Sequence, residues 1–334
     1  MKKKNSVFAV MMCVCMVFLP FFTSCSAKNS QASDYRPMTI LTPIPEEDES
    51  VDLSEGKEPT AQQMEICKQV WDNVKKTYQT EKEMPKIVVM PNSFFKGDSA
   101  SLIITAIYFS DTNTIAIPEG FDQTCKSYFC HELIHYLSDN DVDSDFQGME
   151  YSLSNNSESY AFGVSLNEGL ANYFSTKLYL HPEGFSIYEF ETHIVAEIVA
   201  VYGEEKLWNA YTSGNYEELK NDFNAKVAKY YKTRKVEDVD LTPFEILQTT
   251  LDDYQYVTFH FDECFDYYGI EETVKHWSED MNTIEIMMLN YATESGKRSD
   301  VQNEMKKLLE NSTLDLQFAD LSRIKYYSTE PCQQ

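Results

Sequence analysis

The chain has 334 residues, 43% of them hydrophobic and 13% aromatic, which is enough to form a sizeable core in one or two domains. Acidic residues outnumber basic ones by 54 to 28, and the formal net charge is −26. Such a charge argues against a protein that binds nucleic-acid phosphates or anionic lipid surfaces by electrostatic attraction. It is typical of an exported or surface protein with a solvated acidic exterior.

Residues 1–24 are predicted to be a signal peptide. Lysines at the start precede an apolar run over residues 7–22 that is short for a membrane span. The following Phe-Thr-Ser-Cys, which ends at Cys25, resembles the lipobox of bacterial lipoproteins, with Phe22 in place of the usual leucine. The resemblance implies cleavage before Cys25 and a lipid anchor on it, which would hold the protein to the extracytoplasmic side of a membrane. An ordinary secretory signal is the alternative.

Residues 25–59 are rich in Ser, Pro, Glu and Asp and lack apolar periodicity, which predicts a flexible tether. Residues 60–334 are predicted to form one folded region without internal repeats. Its first part, to about residue 164, is predicted to be α/β, and its second part, from about residue 165, to be almost wholly helical. The predicted fold class is therefore α+β, with a small mixed or antiparallel sheet ahead of the helical part.

Apolar periodicity places the individual elements of this region. A helix is predicted over 61–78 and a strand over 86–90, followed by strands over 102–109 and 114–117 that are joined by a turn, and then by a helix over about 121–137. Further helices are predicted at 166–179, 187–202, 204–212, 215–230, 243–251, 257–267, 271–278, 283–294 and 298–310.

The most informative stretch is His131-Glu132-Leu133-Ile134-His135, inside the helix predicted over 121–137. Residues four apart lie on one face of a helix, so His131 and His135 can direct their imidazoles at one point. The spacing is typical of zinc sites in which two histidines bind the metal and the glutamate acts as general base. We therefore predict Zn²⁺ at His131 and His135, with Glu132 as catalytic base. An ordinary packed pair of histidines is the alternative interpretation.

A third protein ligand is expected, because catalytic zinc sites use three and leave one position open. The segment from Ser165 to Phe174 reads Ser-Leu-Asn-Glu-Gly-Leu-Ala-Asn-Tyr-Phe and predicts a helix that Glu168 opens, with Gly169 small enough for a close backbone approach. Here the chain resembles the gluzincins, zincin metallopeptidases of the peptidase MA type whose third zinc ligand is a glutamate on the next helix. The resemblance implies that Glu168 is the third ligand. It also implies a zincin-like fold with an edge strand that pairs with substrate.

Two alternatives to this role of Glu168 stay open. Ser165 followed three residues later by Glu168 is also a capping box, a common helix start. Glu158 is a rival ligand nearer to the motif. The separation from His135 to Glu168 is longer than is usual in gluzincins, so residues 138–164 are interpreted as an insertion.

The resemblance extends to the helix that follows. Small gluzincins carry a tyrosine near the start of this segment that is thought to support the oxyanion, which implies that Tyr188 is catalytic. His193 is the alternative donor, and a simply packed Tyr188 is the ordinary interpretation. Asn172 falls where thermolysin-like enzymes carry an aspartate that orients a zinc-bound histidine.

The insertion has acidic residues at a spacing that resembles the EF-hand calcium loop. They are Asp139, Asp141, Asp143, Asp145 and Glu150. Ser144 stands where that loop requires a glycine for its sharp turn. Ca²⁺ bound by these residues is one interpretation, and a solvated acidic loop or lid is the other.

The cysteines give a weaker signal. Cys125 and Cys130 lie close together on one predicted helix, which is poor geometry for a disulfide. A bridge between Cys264 and Cys332 stays open. Buried thiols are the expected state of most cysteines that follow Cys25.

Together these patterns predict a zinc metallohydrolase, most simply a peptidase that acts on peptide or protein substrates at the cell surface. His131, His135 and Glu168 would bind the metal, Glu132 would be the base and Tyr188 would stabilise the oxyanion. No nucleic-acid partner is expected. A catalytically silent binding lipoprotein on a zincin scaffold is the alternative function.

Overall fold

The computed structural model describes residues 53–95, 106–139, 148–149, 151–155, 158–180, 188–236 and 239–311. The predicted signal peptide, Cys25 and most of the predicted tether lie outside these residues. The described chain is a mixed α/β protein, mostly helical, with a small three-stranded sheet. Among its helices, none is both long enough and apolar enough to cross a membrane.

Helix α1 (Ala61–Tyr78) begins at a capping box formed by Thr60 and Gln63, and its buried face belongs to the same core cluster as buried residues of the sheet. The sheet consists of β1 (Lys86–Met90), β2 (Ile107–Phe109) and β3 (Thr114–Pro118), as predicted, except that residues 102–105 of the predicted second strand are not described. Its order is β1-β3-β2, with β1 parallel and β2 antiparallel to β3. Strand β2 is therefore an edge strand.

A short 3₁₀ turn (Gln123–Cys125) leads into helix α2 (Lys126–Ser138), which contains the histidine motif. Phe129, Cys130, Leu133 and Ile134 are fully buried in the main core, which fixes the rotation of the helix about its axis. The motif residues are thereby held on the face that looks toward β2 and the helix that follows.

The predicted insertion contains an antiparallel hairpin of β4 (Tyr151–Asn155) and β5 (Glu158–Phe162), which the sequence did not indicate. Helix α3 (Val164–Thr176) follows directly. It contacts α2 on one side, and on others it contacts two helices of the C-terminal part. This central position is why the segment around Glu168 is so rich in small and apolar residues.

The remaining helices agree with the predicted positions to within a few residues, with three exceptions. The helix predicted over 243–251 continues to Phe259 and so includes the first residues of the helix predicted over 257–267. Residues 270–294 form one continuous helix instead of two, and residues 234–241 form a hairpin inside the part predicted to be helical. The elements are α4 (Glu189–Tyr202), α5 (Glu204–Ser213), α6 (Glu217–Val227), β6 (Arg234–Val236), β7 (Val239–Leu241), α7 (Pro243–Phe259), α8 (Phe261–Tyr268), α9 (Ile270–Glu294) and α10 (Arg298–Asn311).

The described cysteines match the expectation of thiols. Cys67 and Cys130 are buried free thiols, and burial raises the pKa of Cys67 to about 12. Cys125 is also a free thiol, so no bridge joins it to Cys130. Cys332, one half of the open disulfide pairing, lies outside the described residues.

Candidate metal centre

Three side chains from two helices converge on one point. His131 Nε2 lies 3.1 Å from His135 Nε2 and 3.0 Å from Glu168 Oε2, and His135 Nε2 lies 3.4 Å from Glu168 Oε1. Only 8% of the His131 side chain and 22% of the Glu168 side chain are exposed. The histidines come from adjacent turns of α2 and the glutamate from α3. The four-residue spacing predicted the shared face of the histidines, whereas Glu168 was implied only by the resemblance to gluzincins.

The three groups fit a zinc ion by both geometry and donor type. Two ligands bound about 2.1 Å from a tetrahedral ion lie about 3.4 Å apart, close to the separations among these atoms. Two imidazoles and one carboxylate are also the donor set of hydrolytic zinc sites that leave the fourth position open. Glu168 is the most exposed of the three, which leaves one side of the cluster accessible.

The N-terminus of helix α3 is capped by a residue of another helix rather than by a side chain of its own segment. Asp252 of α7 accepts hydrogen bonds from the backbone N–H groups of Gly163 (2.7 Å) and Ser165 (2.8 Å). Gly163 is the N-cap residue, in the left-handed region at φ 81°, and makes no side-chain cap. The alternative interpretation of Ser165 and Glu168 as a capping box is therefore wrong. Glu168 instead lies in the second turn and is free to reach the histidines.

The charge on Glu168 is stabilised in place. Burial alone would raise the pKa of this carboxyl, but the His135 and His131 imidazoles outweigh that cost and hold it well below its usual value. Glu168 is consequently an anion in the folded protein, as a metal ligand must be.

Gly169 lets the next helix approach closely. A Cβ atom on Gly169 would lie 2.7 Å from the backbone oxygen of Glu191 in α4, closer than side chains tolerate. This approach brings Tyr188, the N-cap residue of α4, to the cluster. The Tyr188 ring stacks on the His131 ring with centroids 5.7 Å apart and an interplanar angle of 12°.

The hydroxyl of Tyr188 remains a proton donor near the site. Burial and the Glu168 and Glu132 carboxylates raise the pKa of Tyr188 well above its usual value, and the side chain hydrogen-bonds to Glu168. The phenol is therefore neutral over the whole working pH range and suits a hydrogen-bond donor to a developing negative charge.

Glu132 extends from α2 to the edge strand. Its Oε2 accepts a hydrogen bond of 2.9 Å from the backbone N–H of Tyr108 in β2. Burial raises the pKa of this carboxyl, and the two neighbouring imidazoles act in the opposite direction. Glu132 thus lies next to the histidine–glutamate cluster without taking part in the three-atom triangle.

An asparagine near the second histidine was not singled out from the sequence. Asn167 Nδ2 lies 3.5 Å from His135 Nδ1, the ring nitrogen that points away from the cluster. If the Asn167 side-chain amide is turned by 180°, its oxygen takes the place of Nδ2. The oxygen would then accept the Nδ1–H of a metal-bound histidine. Asn172, expected in this orienting role, donates instead to Thr192 Oγ1 at 2.7 Å. Its position five residues after Asn167 places it against α4.

Several predicted site residues are not brought to the cluster or cannot be placed. The side chain of the rival ligand Glu158 lies outside the part of the chain whose side chains are described. Of the calcium residues only Asp139 is described, and it accepts a 2.5 Å hydrogen bond from the Tyr108 hydroxyl. The others, Asp141, Asp143, Asp145 and Glu150, are not among the described residues.

His193, the alternative oxyanion donor, belongs to a different cluster. Its Nε2 lies 3.0 Å from Glu197 Oε1 and 3.1 Å from Glu285 Oε1, inside the helical part. This group was not predicted from the sequence, although the four-residue spacing of His193 and Glu197 resembles that of His131 and His135.

Searches against protein-family models, curated proteins and solved structures give no match for this chain.

Proposed function

We propose that the chain is a zinc-dependent metallohydrolase of the gluzincin type, most simply a peptidase, with a zincin-like arrangement of edge strand and motif helix. The convergence of His131, His135 and Glu168 to within 3.0–3.4 Å of one another supports this proposal most strongly. Zinc held by these three groups would lower the pKa of a bound water toward neutrality and polarise the scissile carbonyl.

Glu132 supplies the general base. Its carboxylate is next to the two histidines but is anchored by the Tyr108 N–H, so it is held in place without acting as a ligand. It would accept the proton of the attacking water and deliver it to the leaving amine. Proton transfer by a positioned carboxylate contributes about 10²–10⁴-fold to the rates of such reactions.

Tyr188 stabilises the oxyanion. The stacked position of its ring on His131 keeps the hydroxyl beside the cluster, and its raised pKa keeps the proton on the oxygen. A neutral phenol in a partly buried site donates a strong hydrogen bond to an oxygen that gains negative charge.

The substrate is a peptide in extended form. Strand β2 is at the edge of the sheet, and Glu132 bonds to its backbone on the side away from β3. An extended peptide can add to such an edge through main-chain hydrogen bonds, which would carry it past the histidines. With a lipid on Cys25, this hydrolysis would take place at the outer face of a membrane.

A mixed peptide library tests the activity directly. The zinc-loaded chain is expected to cleave library peptides, and a zinc chelator or the substitution Glu132→Gln is expected to abolish cleavage. Cleavage that survives both treatments would contradict the proposal. A chain that retains zinc but cleaves no peptide would instead be the catalytically silent binding lipoprotein.

A further inference from the structure

A second histidine–carboxylate cluster lies wholly inside the helical part. His193 and Glu197 are one turn apart on α4, and Glu285 faces them from α9. The ligand atoms of the three side chains lie within 4.8 Å of one another. The side chain of Glu197 is 0% exposed, and the other two are 4% exposed.

The polar atoms of this cluster lie at ion-pair distances, but several of them have no hydrogen-bond partner among the described residues. His193 Nε2 is within 3.1 Å of an oxygen of each carboxylate, yet it donates a hydrogen bond to neither. Both oxygens of Glu197 and Oε2 of Glu285 are buried without a hydrogen-bond partner among the described residues. Nitrogen and oxygen donors that lie this close together and include buried oxygens without a hydrogen bond are the arrangement that ion coordination produces.

The charge of the cluster leads to the same conclusion. Within the described residues, Glu197 and Glu285 form ion pairs with His193 and with no lysine or arginine. In the metal-free protein protons balance this charge, because burial and Glu285 raise the pKa of Glu197 to about 8, and the two carboxylates outweigh burial and raise the pKa of His193 to about 10. Two ionised carboxylates beside a neutral imidazole would carry two negative charges. Buried charges are normally paired or bound to a metal, because an uncompensated charge is strongly unfavourable in the protein interior. A divalent cation would neutralise both carboxylates.

We propose that His193, Glu197 and Glu285 form a second, closed binding site for a divalent transition-metal ion, which fastens α4 to α9. The mixed nitrogen and oxygen donors suit Zn²⁺ or Mn²⁺. Glu197 can bind through both oxygens, since neither has a hydrogen-bond partner among the described residues. The site has a structural role: it fixes the helix whose first turn presents Tyr188, and its burial leaves no approach for a substrate.

Metal content of matched variants tests this site. The full-length chain is stripped with chelator, reloaded separately with Zn²⁺ and Mn²⁺, dialysed and analysed for metal per chain. His131→Ala/His135→Ala removes the first cluster, and Glu197→Gln/Glu285→Gln removes the charge of the second at nearly constant volume. Glu218→Gln/Glu271→Gln, at two exposed positions, is the control for loss of charge.

We expect the His131→Ala/His135→Ala chain to retain about one equivalent of metal, and chelator to lower its melting temperature. Adding Glu197→Gln/Glu285→Gln should remove both the metal and the chelator effect. A folded His131→Ala/His135→Ala chain that holds no metal overturns the proposal. Should that chain not fold, the wild-type chain decides: about two equivalents support the second site, and fewer overturn it. A wild-type chain that binds only one equivalent, all of it retained in a folded His131→Ala/His135→Ala chain, would refute the catalytic zinc and keep the second site.

Discussion

The two histidine–carboxylate clusters are built alike but differ in access. Each takes two groups four residues apart on one helix and a carboxylate from another helix, at distances of 3.0–3.4 Å. The first has Glu132 next to it, Tyr188 stacked on it and the edge strand β2 alongside, and its Glu168 is partly exposed. The second is buried between α4 and α9, and among the described residues its ion pairs join its own members.

This difference in surroundings shows that a set of ligands is enough to bind a metal, whereas catalysis also needs neighbouring groups and access for a substrate. Both clusters have donors for a divalent ion, but under the proposed function only the first has a base, an oxyanion donor and a strand edge for substrate beside it. Variants that affect only one of the two clusters can therefore test this assignment of roles.

The largest effect is expected from Glu168→Ala. This change removes one of three ligands of the first cluster, so the chain should lose about one equivalent of zinc and all measurable hydrolysis. The second cluster should keep its metal. Metal analysis and the peptide assay measure both outcomes. Full zinc occupancy in this variant would point to Glu158 as the third ligand.

Glu132→Gln should separate binding from chemistry. The amide cannot accept a proton, so kcat/KM should fall by about 10²–10⁴-fold. Zinc content should stay at the wild-type level, because Glu132 is not a ligand. The exposed Glu271→Gln provides a matched control that should keep full activity. Wild-type turnover by Glu132→Gln would remove this residue from its role.

Tyr188→Phe should have a smaller effect on the same reaction. It retains the ring that stacks on His131 but removes the hydroxyl, so kcat should fall by about 10²–10³-fold while KM changes little. Zinc content and melting temperature should remain close to those of the wild-type chain. An unchanged kcat would mean that Tyr188 is only a packed aromatic.

Gly169→Ala should have the smallest effect, and this effect is on stability. The substitution lies at the contact between α3 and α4, the helices that connect the two clusters. The new Cβ would lie 2.7 Å from Glu191 O, and such overpacking costs about 1–3 kcal/mol. Alanine recovers about 1 kcal/mol through its better helix propensity. A net decrease in the free energy of unfolding is therefore expected, measurable by urea denaturation. Gly120→Ala, which has open space around it, is the control, and equal stability of the two variants would contradict the close approach.

Much of the first cluster could be read from the sequence because it depends on local spacing. His131 and His135 lie one turn apart on α2, and Glu168 was recognisable from its Asn-Glu-Gly context. The start of α3 was not predictable, because its cap comes from Asp252, which is 89 residues from Gly163 in the sequence. Hydrogen bonds between distant segments leave no periodic pattern.

The second cluster was missed for a similar reason. Glu285 reaches His193 only because residues 270–294 form one helix, which the sequence divided in two around residues 279–282. Asp280 and Asn282 are buried although polar, so they interrupted the apolar pattern where the helix continues. The hairpins at 151–162 and 234–241 were likewise hidden, because their strands are short and largely polar.

The most direct test of the catalytic site is an anomalous-diffraction map recorded at the zinc absorption edge from crystals of the zinc-loaded chain. We expect a peak about 2.0–2.2 Å from His131 Nε2, His135 Nε2 and a carboxylate oxygen of Glu168. A map with no peak at these three atoms, or with a zinc ion bound by the histidines and a carboxylate other than Glu168, would contradict it.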